Sequence, residues 1–385
     1  MSWKSHLEAA REIAPLIRAS ADKIEADREL PRPVFEALAD AGLFHMAVPR
    51  AVGGSELDLP TYVLVIEEIG KADASTGWAV NQGGTFGTFA ARMQRDVARA
   101  IWIDTPRSVV SNTPAPTAKA MVVPGGYRVT GRQPFSTGCK HASWIAAHGQ
   151  IIENGEVRKR DGNPETRYFL MPVAQVELLD TWHTRGMRGT GTHTFEAKDV
   201  FVPEERSVLV KGAPIVSGGP RYKIPLTPGF ACGDAAVALG LARSCMSAFF
   251  ELAGSKTSRY VPGILREQAI VQFAVGKAEA SLRSGRAFFM EAVGEIWDEV
   301  STTGTLTLDR RAALRVAATH AIRLSAEIVD SLYSACGATA VFEGNPIQRY
   351  FQDIHVITQH VQGHLSHYEL VGRHWLGLQI DDSRL

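Results

Sequence analysis

The chain has 385 residues, of which 45% are hydrophobic and 21% are charged, a balance that excludes disorder and suffices for a large core. Lys and Arg together number 41, as do Asp and Glu, so the formal net charge is zero. Because no basic field attracts a polyanion, the composition predicts that nucleic acid is not a partner.

Residues 1–107 predict an N-terminal helical domain. The segment "PRPVFEALADAG" has a proline near its first turn and a glycine at its end, which is typical of a short helix. The segments "DLPTYVLVIEEIGKAD" and "STGWAVNQGGTFGTFAARM" continue the helical pattern.

Residues 108–215 predict a middle β-domain, because short β-rich runs alternate with turn residues. The segment "AMVVPGGYRVTG" places a Gly-Gly turn between two such runs, which indicates a hairpin. Short strands then follow one another to the end of the region. The pattern predicts a compact, antiparallel and barrel-like domain.

Residues 216–385 predict a C-terminal four-helix bundle, since the pattern is helical again and the connections are short. The complete order is therefore mainly α with a central β-domain. The predicted helices of the bundle are residues 229–254, 263–297, 308–340 and 346–373.

The chain carries signals of a reducing compartment and none of export. Its N-terminus has charges where a signal peptide needs an apolar core, so a cytoplasmic location is predicted. The most apolar run, "FACGDAAVALGLARSCMSAFF", is interrupted by Asp234 and Arg243, which favours a core helix over a membrane span. Four scattered cysteines without a CxxC pair indicate free thiols rather than a disulfide framework or zinc site.

Three polar segments of the β-region are candidates for ligand contact. "PFSTGCKHASW" (134–144) brings Ser136 and Thr137 to the end of a strand, and "SNTPAPTAKA" (111–120) is a polar loop entering the domain. "TRGMRGTGTHTF" (184–195) reads either as an anion clamp or as a flexible connection. Each of the first two is equally compatible with a turn whose hydroxyls bond the local backbone.

Near the C-terminus, "RYFQDIHVITQH" (349–360) predicts a buried helix with two histidines. His355 and His360 lie about 140° apart round a helix, so only one of them is expected to face a site. His360 and His364 are spaced i, i+4, the spacing of a metal-ligand pair, but no carboxylate accompanies them and no metal is predicted. The chain has no GxGxxG motif, so a nicotinamide site is not expected.

Four segments together resemble the acyl-CoA dehydrogenase superfamily of flavoproteins over nearly the whole chain. They are "LADAGLFHMAVPRAVGGSELDL", "GGYRVTGRQPFSTGCKHASW", "GMRGTGTHTFEAKDVFVPEE" and "CGATAVFEGNPIQRYFQD". The resemblance implies a flavin held between the β-domain and the bundle. It also implies a homotetramer whose neighbouring subunits complete each site.

The base of the dehydrogenases is missing from this chain. Counted from Arg349, the family's glutamate position is Val361, and the alternative position on the first bundle helix is near Phe230, with Asp234 one turn away. Without a carboxylate, abstraction of an α-proton has no evident agent.

The same segments resemble the flavin-dependent monooxygenase branch, which includes the oxygenase components of p-hydroxyphenylacetate hydroxylase and dibenzothiophene monooxygenase. "QDIHVITQH" is similar to the branch's R-D-x6-H pattern with Gln352 in place of the arginine, and "FSTGCKHASW" is similar to its F-S-S-G-C-x-H-x-x-W. The resemblance implies the oxygenase component of a two-component system. Such a component uses O2 and reduced FMN or FAD, supplied by a separate flavin reductase, to hydroxylate a small aromatic or heteroaromatic substrate through a C4a-hydroperoxide.

The resemblance also assigns roles to individual residues. His360 is expected to act as proton donor or substrate-orienting group, and Thr137 with Ser136 to hold the proton on flavin N5. Phe86 stands where phenol-hydroxylating relatives carry a histidine. The expected cofactor-binding residues are Ser136, Thr137, Trp144, Arg259, Gly337 and Asn112. The expected substrate-contacting residues are Ser111, Asn112, Phe86, Trp78 and His360.

Two other functions remain compatible with the sequence. One is an acyl-CoA dehydrogenase or related flavin oxidase with a non-standard base, either Asp234 or Asp353. The other is a non-catalytic flavin-fold binding subunit, which would give no flavin-dependent product with any electron donor.

Overall fold

The computed structural model describes residues 3–257, 261–382 and 385. Its first part is helical, as predicted, and two helices begin at capping aspartates. Asp58 accepts a hydrogen bond from the Thr61 amide, and Asp73 accepts one from the Thr76 amide, both at 2.7 Å. These caps set the beginnings of the fourth and fifth helices. The helices are α1 (Trp3–Ala19), α2 (Ala21–Asp27), α3 (Arg32–Asp40), α4 (Leu59–Ala72), α5 (Ala74–Phe86) and α6 (Arg95–Trp102).

The middle region forms a mixed sheet. Its strands are β1 (Val110–Asn112), β2 (Ala118–Val123), β3 (Gly126–Ser136), β4 (Trp144–Glu153), β5 (Glu156–Val157), β6 (Lys159–Arg160), β7 (Asn163–Pro164), β8 (Thr166–Pro172), β9 (Glu177–Leu179), β10 (His193–Pro203) and β11 (Ser207–Leu209). The main sheet runs β11-β8-β4-β2-β3-β10-β9, with β1 and β5 also paired to β4. The expected hairpin is β2–β3. The expectation of a wholly antiparallel domain is wrong, because β1 and β2 both run parallel to β4.

The C-terminal region is a helix bundle. Its helices are α7 (Leu226–Ala253), α8 (Ala269–Thr303), α9 (Leu308–Cys336), α10 (Pro346–Gln359) and α11 (Ser366–Trp375). Among the described residues, α7 alone is long and apolar enough to cross a membrane, and 61% of its most apolar window is buried in the protein. It packs against α4, α5, α9 and α10, as a core helix does.

The last predicted helix, residues 346–373, is two helices in the structure. His360 has extended backbone angles (φ −67°, ψ 148°), so α10 ends at Gln359 and a short 3-10 turn follows. Arg323 of α9 stabilises this break by donating hydrogen bonds to the carbonyls of Thr358 and Gly363. The angular argument for His355 and His360 therefore does not apply, since His360 lies beyond the helix.

Close contacts between α4, α5 and α7 bring distant polar residues together. A Cβ at Gly240 would stand 2.5 Å from the Glu67 carbonyl oxygen, so only glycine lets α7 approach α4 this closely. A Cβ at Gly233 would collide with the Asn81 amide in the same way. Glycine at these two positions thus allows Asn81 of α5 to reach the neighbouring residue of α7, Asp234.

Candidate active site

Asp234 is the buried charge at the centre of the bundle side of the site. Its carboxylate is fully buried and accepts hydrogen bonds from the side-chain amides of Asn81 at 2.9 Å and Gln82 at 3.2 Å, both through Oδ1. The side-chain oxygen of Asn81, Oδ1, in turn accepts hydrogen bonds from the hydroxyls of Tyr62 and Thr85. This network holds the carboxylate in one orientation and leaves Oδ2 free.

His360 faces the free oxygen of Asp234. Its Nδ1 lies 3.1 Å from Oδ2, and neither atom makes an aligned hydrogen bond, so the contact is a charge pairing when the imidazole is protonated. The imidazole packs edge-on against Trp78 of α5, with ring centroids 5.0 Å apart. Because the side chain is 31% exposed, Nε2 remains the nitrogen that a ligand can reach.

Five hydroxyls form a hydroxyl row near the ends of β1 and β3 and just before β10: Ser111, Ser136, Thr137, Thr190 and Thr192. Each hydroxyl has a single proton, so a hydroxyl that donates to a carbonyl oxygen must accept in its contact with the next hydroxyl. Ser111 donates to the Thr137 carbonyl at 2.7 Å, and Ser136 must therefore donate in its 2.7 Å contact with Ser111. Both serines are buried, and Ser111 both accepts and donates a hydrogen bond, so Ser111 supports the row and is not in position to contact a substrate, contrary to expectation.

The three threonine hydroxyls of the row also donate in one direction, toward a carbonyl oxygen. Thr190 donates to the Met187 carbonyl at 2.8 Å, so Thr192 donates to Thr190 at 2.7 Å. Thr137 must then donate to Thr192 at 3.0 Å. Thr137 is half-buried, and the other hydroxyls of the row are buried. Its oxygen is left as an acceptor on the open side of the row.

Asn112 joins the two halves of the site. It follows Ser111 in β1, and its side-chain amide donates to the Gln82 carbonyl at 3.3 Å. Gln82 is in turn bonded to Asp234, which pairs with His360. Bonded and packed contacts thus connect six of the residues expected from the sequence: Ser111, Asn112, Ser136, Thr137, Trp78 and His360.

A second buried carboxylate, Asp353 of α10, holds the loop that carries Thr190 and Thr192 of the hydroxyl row. Its Oδ1 accepts a 2.5 Å hydrogen bond from the Met187 amide. Burial, with a smaller contribution from the charge of Asp73, raises the pKa of Asp353 to about 8 against the opposing hydrogen bond from the Met187 amide. The loop is therefore docked rather than flexible, and Arg188 in it pairs with Glu25 instead of clamping an anion.

Three expected residues lie elsewhere, and a fourth falls outside the described residues. Phe86 is fully buried between Phe89 and Tyr168, so it belongs to the core and does not line the site. Gly337 is at the end of α9, where its nearest side chain is Lys256. Trp144 is half-buried, with the Arg206 guanidinium 5.2 Å from its ring centroid. Arg259 lies outside the described residues.

The other histidines of the segment do not form a metal site. His355 pairs with Asp330 at 2.9 Å, on the outer side of α10. His364 follows the helix break and forms a hydrogen bond with Ser366. His360 and His364 therefore do not lie on one face of an α-helix, despite their i, i+4 spacing. In the described ranges, no group of three or more His, Cys, Asp or Glu side chains is placed to hold a metal ion.

Comparison with known proteins places this geometry in a family. Residues 7–95 match the acyl-CoA dehydrogenase N-terminal domain, and residues 232–364 match the acyl-CoA dehydrogenase C-terminal domain. Indole-3-acetate monooxygenase of Pseudomonas putida is 30% identical over 94% of this chain and 91% of its own. The chain belongs to the acyl-CoA dehydrogenase family, in its branch of flavin-dependent monooxygenases.

Solved structures agree with this assignment. The HsaA monooxygenase of M. tuberculosis superposes with a TM-score of 0.90 at 27% identity, covering 100% of both chains. XiaF of a Streptomyces species, in complex with FADH2 and glycerol, gives a TM-score of 0.89 at 25% identity, covering 98% of this chain and 96% of its own. The predicted family, fold, enzyme class and reduced-flavin cofactor of this monooxygenase are thereby confirmed.

The residues of the monooxygenase fit a reduced flavin at the hydroxyl row. The Thr137 oxygen offers an acceptor to an N–H group, which suits a reduced ring better than an oxidised one. Phe135, immediately before the row, is 57% exposed and has a φ of +61°, a strained conformation for an aromatic residue. Its ring meets Trp182 edge-on, with centroids 6.4 Å apart, and the exposed remainder is a surface on which an aromatic cofactor could stack.

Sequence reasoning missed the partners of the expected site residues. Asp234 was visible as a charge within an apolar run, but its pairing with His360 depends on the packing of α7 against α10. Thr190 and Thr192 carried no signal beyond a Gly-rich segment. The possibility that Asp234 or Asp353 serves as a dehydrogenase base is not supported, because both carboxylates are buried and engaged.

Proposed function

We propose that this monooxygenase is the oxygenase component of a two-component system that hydroxylates a small aromatic or heteroaromatic compound. The observation that carries the proposal is that hydrogen bonds through Asn112 and Gln82 join the strand of the hydroxyl row, which holds the Thr137 acceptor, to the Asp234–His360 pair. The indole-3-acetate monooxygenase to which the chain is similar supports an aromatic substrate. When bound, reduced FMN or FAD supplies the electrons that activate O2.

Thr137 would hold the cofactor at its N5 proton. Its hydroxyl donates toward Thr192, so the oxygen can accept the N5 N–H and keep that proton in place. Ser136 and Ser111 fix the Thr137 backbone by bonding to each other and to its carbonyl. A held N5 proton limits the wasteful release of H2O2.

His360 would supply the mobile proton. Asp234 stabilises the protonated imidazole from the buried side, which leaves Nε2 to donate toward the departing oxygen or to orient a polar group of the substrate. Asn81 and Gln82 hold the carboxylate, so Asp234 acts as a positioning residue. Trp78 packs against the imidazole and excludes water from that side.

A separate reductase and a homotetramer complete the proposal. The chain has no nicotinamide-binding motif, which supports delivery of reduced flavin by another protein. Ile270 and Phe273 lie one turn apart on α8 and are 76% and 72% exposed, which supports a subunit contact there. Light scattering of the purified protein measures the number of subunits.

The decisive experiment measures coupling. The protein is mixed with photoreduced FMN or FAD and O2 in the presence of an aromatic panel, and hydroxylated product and H2O2 are both quantified. We expect product from at least one aromatic compound without any nicotinamide or reductase present. Stoichiometric H2O2 with no product from every compound, for both flavins, would contradict the proposal.

A further inference from the structure

Helix α5 is closed off from solvent along its length except at one residue, Gln82. All 13 residues of this helix are described, and every one apart from Gln82 is buried. Gln82 lies one turn after Trp78 on the same face of α5, and Trp78 packs against the His360 imidazole. The half-buried side chain of Gln82 is therefore placed beside the Asp234–His360 pair.

Two hydrogen bonds hold Gln82 at the junction between the two halves of the site. Its side-chain nitrogen, Nε2, donates to Oδ1 of Asp234 at 3.2 Å. Its backbone carbonyl accepts from the side-chain amide of Asn112 at 3.3 Å, and Asn112 belongs to β1, a strand of the hydroxyl row. The bundle half thus holds the side chain of Gln82, and the β-domain half holds its backbone.

The contact with Asp234 determines which end of the Gln82 amide is free. An ionised carboxylate only accepts hydrogen bonds, so the end of the amide that faces Asp234 must be the nitrogen. The oxygen, Oε1, faces away from that carboxylate, and no residue in the described ranges donates to it. Asn81, the preceding residue, differs in this respect, because its Oδ1 accepts from Tyr62 and Thr85.

A free acceptor of fixed direction in such a place discriminates between ligands. A ligand that covers Oε1 removes water from it, and an acceptor that loses water without gaining a partner costs free energy. A ligand with an N–H or O–H group at that point avoids this cost. A site built in this way favours donor-bearing ligands over analogues that lack the donor.

We propose that Gln82 is a specificity-determining residue, whose Oε1 accepts a hydrogen bond from an N–H or O–H group on the aromatic ring of the substrate. The inference rests on the proposed hydroxylase function and adds the residue that orients the ring beside His360. Nε2 stays bonded to Asp234 while Oε1 binds the ring, so one amide contacts both the substrate and the carboxylate that pairs with His360.

Binding of matched probes tests this without turnover. Indole is compared with benzofuran, and phenol with fluorobenzene, by calorimetry under anaerobic conditions, with and without reduced flavin. In each pair the ring is kept and the donor is removed. We expect at least one donor compound to bind about three- to tenfold more tightly than its analogue, the value of one net hydrogen bond. Equal binding within both pairs, or no binding of either donor compound, would overturn the proposal.

Variants then assign the preference to the Gln82 oxygen. Gln82→Met keeps the length of the side chain and removes both polar atoms, so the preference should disappear. Gln82→Lys keeps a donor for Asp234 and has no acceptor, so the preference should disappear there as well. Thr88→Val is the matched control, because Thr88 is half-buried just beyond α5 and its hydroxyl donates to the Thr85 carbonyl.

Three results would contradict the assignment. They are a preference that survives in Gln82→Lys, one that falls equally in Thr88→Val, and an unchanged preference with weaker binding of reduced flavin in Gln82→Met. The last result would mean that Oε1 contacts the cofactor instead of the substrate. Because all of these are binding constants, they stand apart from any failure to observe hydroxylation.

Discussion

The two halves of the site carry different kinds of polar group. The bundle half has a charged pair, Asp234 and His360, and the β-domain half has a row of neutral hydroxyls. In the row, each proton is donated in one direction, ending at carbonyl oxygens. The Thr137 oxygen is left to accept on a half-buried side chain, whereas the Ser136 oxygen is fully buried. Serine and threonine hydroxyls do not ionise near neutral pH, whereas an imidazole does. The β-domain half can therefore hold a proton, and the bundle half can deliver one.

The two halves also differ in how they are built. The hydroxyl row comes from strand ends and one docked loop, so its parts are close in the sheet. The charged pair comes from α7 and from the residue after α10, and it forms only because glycines let the helices approach. Changes on the bundle side should therefore affect the chemical step most strongly, and changes on the β-side should affect coupling.

The largest effect is expected at the proton donor. His360→Ala should lower the rate of hydroxylated product by about 10²–10⁴-fold, the usual contribution of a general acid or base. Reduced flavin should still bind, because no hydroxyl of the row contacts His360. Product formation and flavin affinity are measured separately. His355→Ala is the control, since His355 is on the same segment but pairs with Asp330 away from the site; full activity in His360→Ala would remove His360 from the mechanism.

A smaller effect is expected at the residue behind it. Asp234→Asn keeps the size of the side chain and removes the charge opposite Nδ1, so kcat should fall by about 10–100-fold, as for other outer-shell partners. KM and flavin affinity should change little if Asp234 only positions His360. Asp330→Asn removes the carboxylate of a second Asp–His pair, the one formed with His355 away from the site, and should leave kcat unchanged. Equal losses in both variants would indicate a general effect of charge on the bundle.

On the β-side, Thr137→Val should raise the H2O2 released per O2 consumed by about two- to tenfold, the value of one hydrogen bond. Valine matches threonine in shape and lacks only the hydroxyl, and Thr137→Ser should restore coupling. Thr192→Val removes the acceptor of the Thr137 proton, so it should uncouple less than Thr137→Val. Coupling equal to that of the unmodified enzyme in Thr137→Val would exclude the hydroxyl from holding the N5 proton.

The same contrast explains what could be predicted from the sequence. Contiguous motifs located His360, Thr137 and Asn112, and the structure connects all three through short contacts. The Asp234–His360 pair could not be predicted, because the two residues are 126 positions apart and meet through helix packing. The end of α10 at Gln359 also lacked a signal, since Arg323 of another helix binds the carbonyls exposed there. Phe86 was misplaced because its position in the motif does not reveal that its helix face turns into the core.

The smallest effect is expected away from the chemistry, at Asp353. Its pKa is about 8 in the folded protein because of burial, against an ordinary value near 3.8. Between these values the folded state retains a proton that the unfolded state releases, so the stability contributed by this group falls as pH rises from 4 to 8. Asp353→Asn keeps the acceptor for the Met187 amide and cannot ionise. The unfolding temperature of Asp353→Asn should therefore rise relative to that of the unmodified protein as pH increases from 5 to 8.

Asp180 provides the control, because its pKa is lowered whereas that of Asp353 is raised. Its hydrogen bonds from Arg28 lower its pKa to about 2, so the stability it contributes is lost only when pH falls below its ordinary value. Asp180 is ionised in both states from pH 5 to 8, and Asp180→Asn should shift the unfolding temperature by a constant amount across that range. Calorimetry of both variants at pH 5, 6.5 and 8 distinguishes the cases. A constant shift in Asp353→Asn as well would mean that Asp353 is already ionised in the folded protein, and the loop holding Thr190 and Thr192 would then depend on a buried negative charge.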